Sequence, residues 1–249
     1  HELVPEAWIL LHTNKEKQRY IKAGVDPKRI WVTNQPIHPG SGKSRQIQWA
    51  LQNLTSPNEW AFFCDDNVKH FEKVAEPWYQ SEDLHSNDGS LKPKVWHERY
   101  RVPIEFEDLI PALEEDQDKA ESIGANYWGM STTPNFFFRS KKHSTIVLIS
   151  GKAFMMRNTP GLPFNHNAAI AAEDTWLTLE HLYQYGTVLR NNYLYVEAEY
   201  WQDKGGFGST QRRVKSRTRD LKNLLRLFPG LATETPPKTM ATPPLSLKL

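Results

Sequence analysis

The chain has 249 residues, 39% of them hydrophobic, and a formal net charge of +2. That length suits one large domain with a sizeable core, and nine tryptophans with 12% aromatics exclude a disordered chain. No run approaches the roughly 20 apolar residues of a membrane span, and a single cysteine excludes an internal disulfide or a thiolate metal cluster.

The opening residues carry no leader pattern, and a chain that begins with His1 leaves open whether its native start is present. Residues 7–11 predict an apolar strand, 15–23 a helix and 29–32 a second short strand. Over 44–54, Ile47, Ala50, Leu51 and Leu54 recur at helical spacing. Residues 60–64 are apolar throughout, as a strand buried on both faces would be, with Cys64 packed inside it. A lone buried cysteine fits a reducing, cytoplasmic setting. This βαβαβ order predicts an α/β fold with a mostly parallel central sheet flanked by helices, and ligands at the carboxyl ends of the strands.

Residues 75–105 hold no period and read as an irregular insertion or lid. Beyond them, 107–123 predict a helix, 126–130, 145–149 and 153–156 short strands, 173–185 a helix and 187–196 a long strand. A last helix spans 209–228 and closes a domain of residues 1–228. The Pro- and Thr-rich residues 229–249 read as an irregular tail. Between Lys204 and Arg226 stand eight basic residues and one acid, Asp220, a net +7 against −5 for the remainder. A mildly acidic body therefore carries a basic C-terminal element.

The strongest chemical signal is Asp65-Asp66-Asn67, directly after an apolar strand. Three oxygen-bearing side chains there are poor packing groups. They suit a hard divalent cation, manganese or magnesium, that bridges nucleotide phosphates; the plainer reading is a turn. Glu173-Asp174 opens a helix, where acids favour the dipole. Paired with a separate phosphate-binding motif, they also offer a base for an attacking hydroxyl.

The run from Pro39 to Ser44 (PGSGKS) is not a Walker loop, because Ile37 stands where a glycine is required. A Gly-rich turn feeding a helix still presents backbone N–H groups to anions. Lys204, in a loop with three glycines, is placed to neutralise a diphosphate leaving group. On the last helix Arg212, Lys215, Arg219, Lys222 and Arg226 share one sector, opposite Val214, Leu221, Leu225 and Phe228. Phosphate backbones are the obvious partner of such a stripe.

The run from Trp60 to Asn67 (WAFFCDDN) resembles the apolar strand and DxD motif of GT-A (Rossmann-like) glycosyltransferases. The run from Ala171 to Leu177 (AAEDTWL) resembles their second acidic motif, and residues 146–156 resemble the strand pair framing their sugar pocket. More narrowly, the chain looks like the TET/JBP-associated glycosyltransferases, which glycosylate hydroxymethylated bases in DNA. The resemblance implies a UDP-sugar donor, with Asp65, Asp66 and Asn67 as metal ligands and Asp65, Asp66, Lys43 and Arg45 at the donor. It further implies Asp174 as base and Glu173 as acceptor ligand. It departs from the family at Asn67, where aspartate is usual, and in the late histidine ligand, since no histidine follows His181. Glu199 or Asp203 are substitutes for it.

The expected function is sugar transfer to a hydroxymethylated pyrimidine, 5-hydroxymethylcytosine foremost, in phage-type DNA modification inside the host cytoplasm. A target base must leave the stack, and Trp78, Trp96 and Trp201 are aromatics suited to fill the gap. The rivals are a transferase acting on a glycan or protein, a nucleotidyltransferase, and an inactive DNA-binding module.

Overall fold

The structure, a computed structural model, describes residues 7–11, 13–33, 42–74, 101–132, 142–166, 168–169, 171–198, 210–234 and 245–247. For 42, 101, 210–214, 245 and 246 it describes the backbone alone. Strands β1 (Ile9–Leu11) and β2 (Ile30–Val32) pair in parallel as a separate two-stranded sheet. Helix α1 (Asn14–Lys22) joins them and starts at a capping box. Thr13 Oγ1 accepts the Glu16 N–H at 3.2 Å, and Glu16 accepts the Thr13 N–H at 3.0 Å. Leu11, Val25 and Ile30 form a small core for this unit. Helix α2 (Gly42–Leu54) follows and buries Ile47, Ala50 and Leu51, the face its apolar spacing predicts.

The main sheet has seven strands: β3 (Trp60–Cys64), β4 (Val68–Val74), β5 (Arg101–Ile104), β6 (Tyr127–Ser131), β7 (His143–Ser144), β8 (Ala153–Arg157) and β9 (Leu189–Ala198). Their order is β3-β8-β6-β9-β4-β5, with β7 against β9. Three further helices are α3 (Phe106–Ser122), α4 (Glu173–Tyr185) and α5 (Thr210–Leu227).

Side chains alternate across the sheet with the strand period of two. Phe154 and Met156 of β8 enter one core with Leu51 of α2, Trp176 of α4 and Leu224 of α5. Ala153 and Met155 enter a second core with Leu109 and Leu113 of α3. Helices thus cover both faces, and the α/β class is as the sequence predicts. Among the described residues no helix is long and apolar enough to cross a membrane.

The mostly parallel sheet is corrected to a mixed one. Only β6 and β9 run parallel within it, and the other pairings are antiparallel. Parallel neighbours need a long crossover. Here α1 carries one, between β1 and β2, and α4 lies in the other, between β6 and β9. Strand β3 does not continue the β1–β2 pair but forms an edge of the larger sheet, half-buried rather than enclosed, and Cys64 at its end is exposed. Within the irregular span 75–105, residues Arg101–Ile104 form β5 against β4.

Residues 145–149 are not a strand. Of these residues Ile149 is 1% exposed, with its N–H donating to Thr178 Oγ1 at 3.1 Å, whereas Ile146 is 45% exposed. In the tail, β10 (Ala232–Glu234) pairs antiparallel with β11 (Leu245–Leu247), and Ala232 and Leu247 pack on the first core. The bounds of α3, α4, β6, β8 and α5 match expectation within two residues.

Candidate active site

Asp65-Asp66-Asn67 is the turn that leaves β3 and enters β4. The Asp65 N–H donates to the Lys152 carbonyl at 2.9 Å, tying this turn to the one that opens β8. The Lys152 ammonium then reaches back, at 3.0 Å to Asp65 Oδ2 and 3.0 Å to Asn67 Oδ1. From the first turn of α2, Lys43 donates to Asp65 Oδ1 and to the Gly151 carbonyl. On the other side of Gly151 stands Asp174, at the start of α4, with its Oδ2 3.5 Å from the Gly151 N–H. Asp174 Oδ1 accepts the Thr175 N–H at 2.7 Å, one of the free N–H groups of a helix N-terminus. The fit at Gly151 is close: a Cβ there would lie 3.0 Å from Lys43 Nζ and 3.3 Å from Asp174 Cβ.

Two sequence motifs more than 100 residues apart therefore meet around one lysine and one glycine. Desolvation works against the Lys43 ammonium, but Asp65, Glu173 and Asp174 outweigh it and raise its pKa. Glu173 is half-buried, and its carboxyl is pushed up to about 7 by desolvation and then by Asp174, with Lys43 opposing. Beneath α4, Tyr127 is fully buried, and its hydroxyl has no hydrogen-bond partner among the described residues. Burial, then Asp174 and Glu173, raise that hydroxyl's pKa well above its ordinary value.

The raised Glu173 pKa sets a sign for stability. Its protonated form contributes stability that is full below about 4.5 and lost as the pH rises through about 7. Glu173→Gln removes this dependence. Its melting temperature should match the parent near pH 5 and exceed it at pH 8; a difference that stays flat between those values would show that Glu173 titrates normally.

The metal expectation meets an obstacle in this geometry. Both Asp65 oxygens and Asn67 Oδ1 already face ammonium groups. A divalent cation on those oxygens would sit against two positive charges, so with Lys43 and Lys152 in place Asp65 and Asn67 do not fit it. Asp66 is exposed and lies near α1, where, second to burial, its charge raises the Tyr20 pKa. Arg45 lies near His166, whose pKa is lowered by burial and then by Arg45.

The basic stripe faces outward where it is described: Lys215, Arg219, Lys222 and Arg226 are exposed, and Leu221, Leu224 and Phe228 are buried. Arg219 also pairs with Asp220 at 3.1 Å. Asp220, buried itself, accepts the Ala171 N–H at 2.5 Å and so fixes α5 to the segment leading into Glu173. Lys204, the side chains of Arg212 and Val214, Glu199, Asp203 and the tryptophans at 78, 96 and 201 lie outside the described residues.

Sequence reasoning missed Lys152 and Gly151, and noted Asp220 without its contact to Ala171. The available signal was weak: a Ser-Gly-Lys turn ahead of an apolar strand, and one acid in a basic helix. It also passed over exposed Trp8 and Trp31, which form a row with Trp49 at ring spacings of 5.6 and 5.8 Å. Comparison of the chain with family models, with curated proteins and with solved structures finds no match.

Proposed function

We propose that the chain is a glycosyltransferase of GT-A type that moves a sugar from a UDP-sugar to a hydroxymethylated pyrimidine in DNA. The observation that carries this reading is the meeting of Asp65 with Glu173-Asp174 through Lys43 and Gly151. Transfer needs positive charge against a departing diphosphate and a carboxylate near the attacking hydroxyl. Lys43 and Lys152 supply the charge, held in place by Asp65 until phosphate oxygens compete for them. Asp174 supplies the carboxylate: it takes the proton as the acceptor oxygen bonds to the sugar carbon and the bond to the diphosphate breaks. Glu173, protonated below about 7, can donate a hydrogen bond to the acceptor.

The test is product analysis with UDP-glucose and related donors on duplex DNA that contains 5-hydroxymethylcytosine. Free UDP and a glycosylated base are expected. Pyrophosphate instead would make the protein a nucleotidyltransferase, and no product from any donor would leave a binding module. The row of Trp8, Trp31 and Trp49 favours one second reading, a carbohydrate acceptor, because sugars stack on such faces as bases do. Turnover on glycans but not on DNA would select it.

A further inference from the structure

We propose that His70, Glu72 and Glu197 form a divalent-cation site, distinct from the Asp65 turn. The three stand on neighbouring antiparallel strands, β4 and β9, with His70 directly opposite Glu197. Glu72 is two residues beyond His70, so the strand period sends all three side chains to one face of the pair. A register shift between Val68 and His70 marks a bulge, a feature that re-aims side chains beside functional sites.

Two of the three spacings fit a metal. His70 Nε2 lies 2.9 Å from Glu72 Oε1 and 3.6 Å from Glu197 Oε2, and one ligand atom from each residue lies within 4.8 Å of the others. Ligands held about 2.0–2.2 Å from one ion, at tetrahedral or octahedral angles, stand about 2.8–3.6 Å apart. At 3.6 Å the Glu197 oxygen is too far from the imidazole for a good hydrogen bond. A divalent cation between the three would face two carboxylates whose combined negative charge balances its own.

Access and chemistry agree. The His70 and Glu197 side chains are 38% and 39% exposed and Glu72 13%, so the remaining coordination positions open to solvent or to a ligand's oxygens. One imidazole with two carboxylates suits manganese, iron or zinc better than magnesium or calcium, which prefer oxygen alone. Binding places the Nε2 lone pair on the metal, and any proton on that nitrogen moves to Nδ1 or to solvent. The site also answers the obstacle at Asp65, where two lysines occupy the carboxylate, yet it stands whether or not the protein transfers sugar.

The experiment is calorimetric titration of the full chain with manganese chloride and then zinc chloride, with manganese spin resonance as the second readout. One equivalent is expected to bind. Affinity should fall at least ~10-fold in His70→Ala and in Glu197→Gln, since ligand loss costs no less than loss of a supporting partner, and should persist in Asp65→Asn. Glu197→Gln keeps the side chain's shape at a half-exposed position, which guards against misfolding as the cause. No binding by the parent chain, unchanged affinity in both His70→Ala and Glu197→Gln, or loss confined to Asp65→Asn would each overturn the proposal.

Discussion

Replacement of Asp174 by Asn is expected to lower glycosyl transfer at least ~100-fold, the scale of losing a general base, with UDP affinity nearly unchanged. The asparagine keeps the side chain's shape and an oxygen for the Thr175 N–H, now accepted at 2.7 Å. What it lacks is the negative charge that receives the acceptor's proton. UDP affinity should hold because Lys43 is still anchored by Asp65 and by the Gly151 carbonyl. Single-turnover kinetics beside UDP titration separate the two effects. Parent-like turnover would remove Asp174 from the chemistry, whereas weakened UDP binding would move it into the donor site. Glu173→Gln serves as the comparison: a group that holds the acceptor changes the Michaelis constant more than the turnover number.

The parts of the fold that were legible in the sequence are those set by local rules. Helix α4 begins at Glu173-Asp174 and ends at Gly186, which takes the left-handed conformation with φ of 72°, so both ends carried a signal. Helix α3 and strands β6 and β8 followed from apolar spacing. What was hidden depends on contacts distant in sequence. Strand β4 went unread because His, Glu and Lys interrupt its apolar residues; in the structure Phe71 and Val74 are buried while Lys69 and Lys73 are exposed.

Strand β3 looked central because all five of its residues are apolar. It lies at an edge and divides its side chains between two cores, Ala61 and Phe63 in one, Trp60 and Phe62 in the other. The candidate site divides the same way. Its carboxylates were legible because paired acids at a strand end and a helix start are poor packing groups. Lys152 was not, because a single lysine in a turn resembles any solvated charge, and its pairing with Asp65 spans 87 positions.

If DNA is the acceptor, its affinity should fall steeply with salt, and Lys215→Ala, Lys222→Ala and Arg226→Ala together should reduce the slope of log affinity against log salt by up to about 2.7. These three side chains are exposed on α5, opposite Leu221 and Leu224, which dock the helix on the core. Arg219 is left in place because it also pairs with buried Asp220, whose bond to Ala171 holds α5 against the segment leading to Glu173. Each cation that meets a phosphate releases about one counterion, so three lost contacts remove about three from the slope. Phosphate contacts position a duplex without reading bases, so sequence preference should stay constant while the acceptor Michaelis constant rises. Hydrolysis of UDP-sugar without acceptor should be unaffected, because none of the three touches the Lys43 cluster. Fluorescence anisotropy on a labelled duplex across a salt series gives the slope for parent and variant. A parent chain with no salt-dependent binding would favour the carbohydrate acceptor. An unchanged slope in the variant would move the DNA surface off α5, with the basic run from Arg139 to His143 the next stretch to mutate.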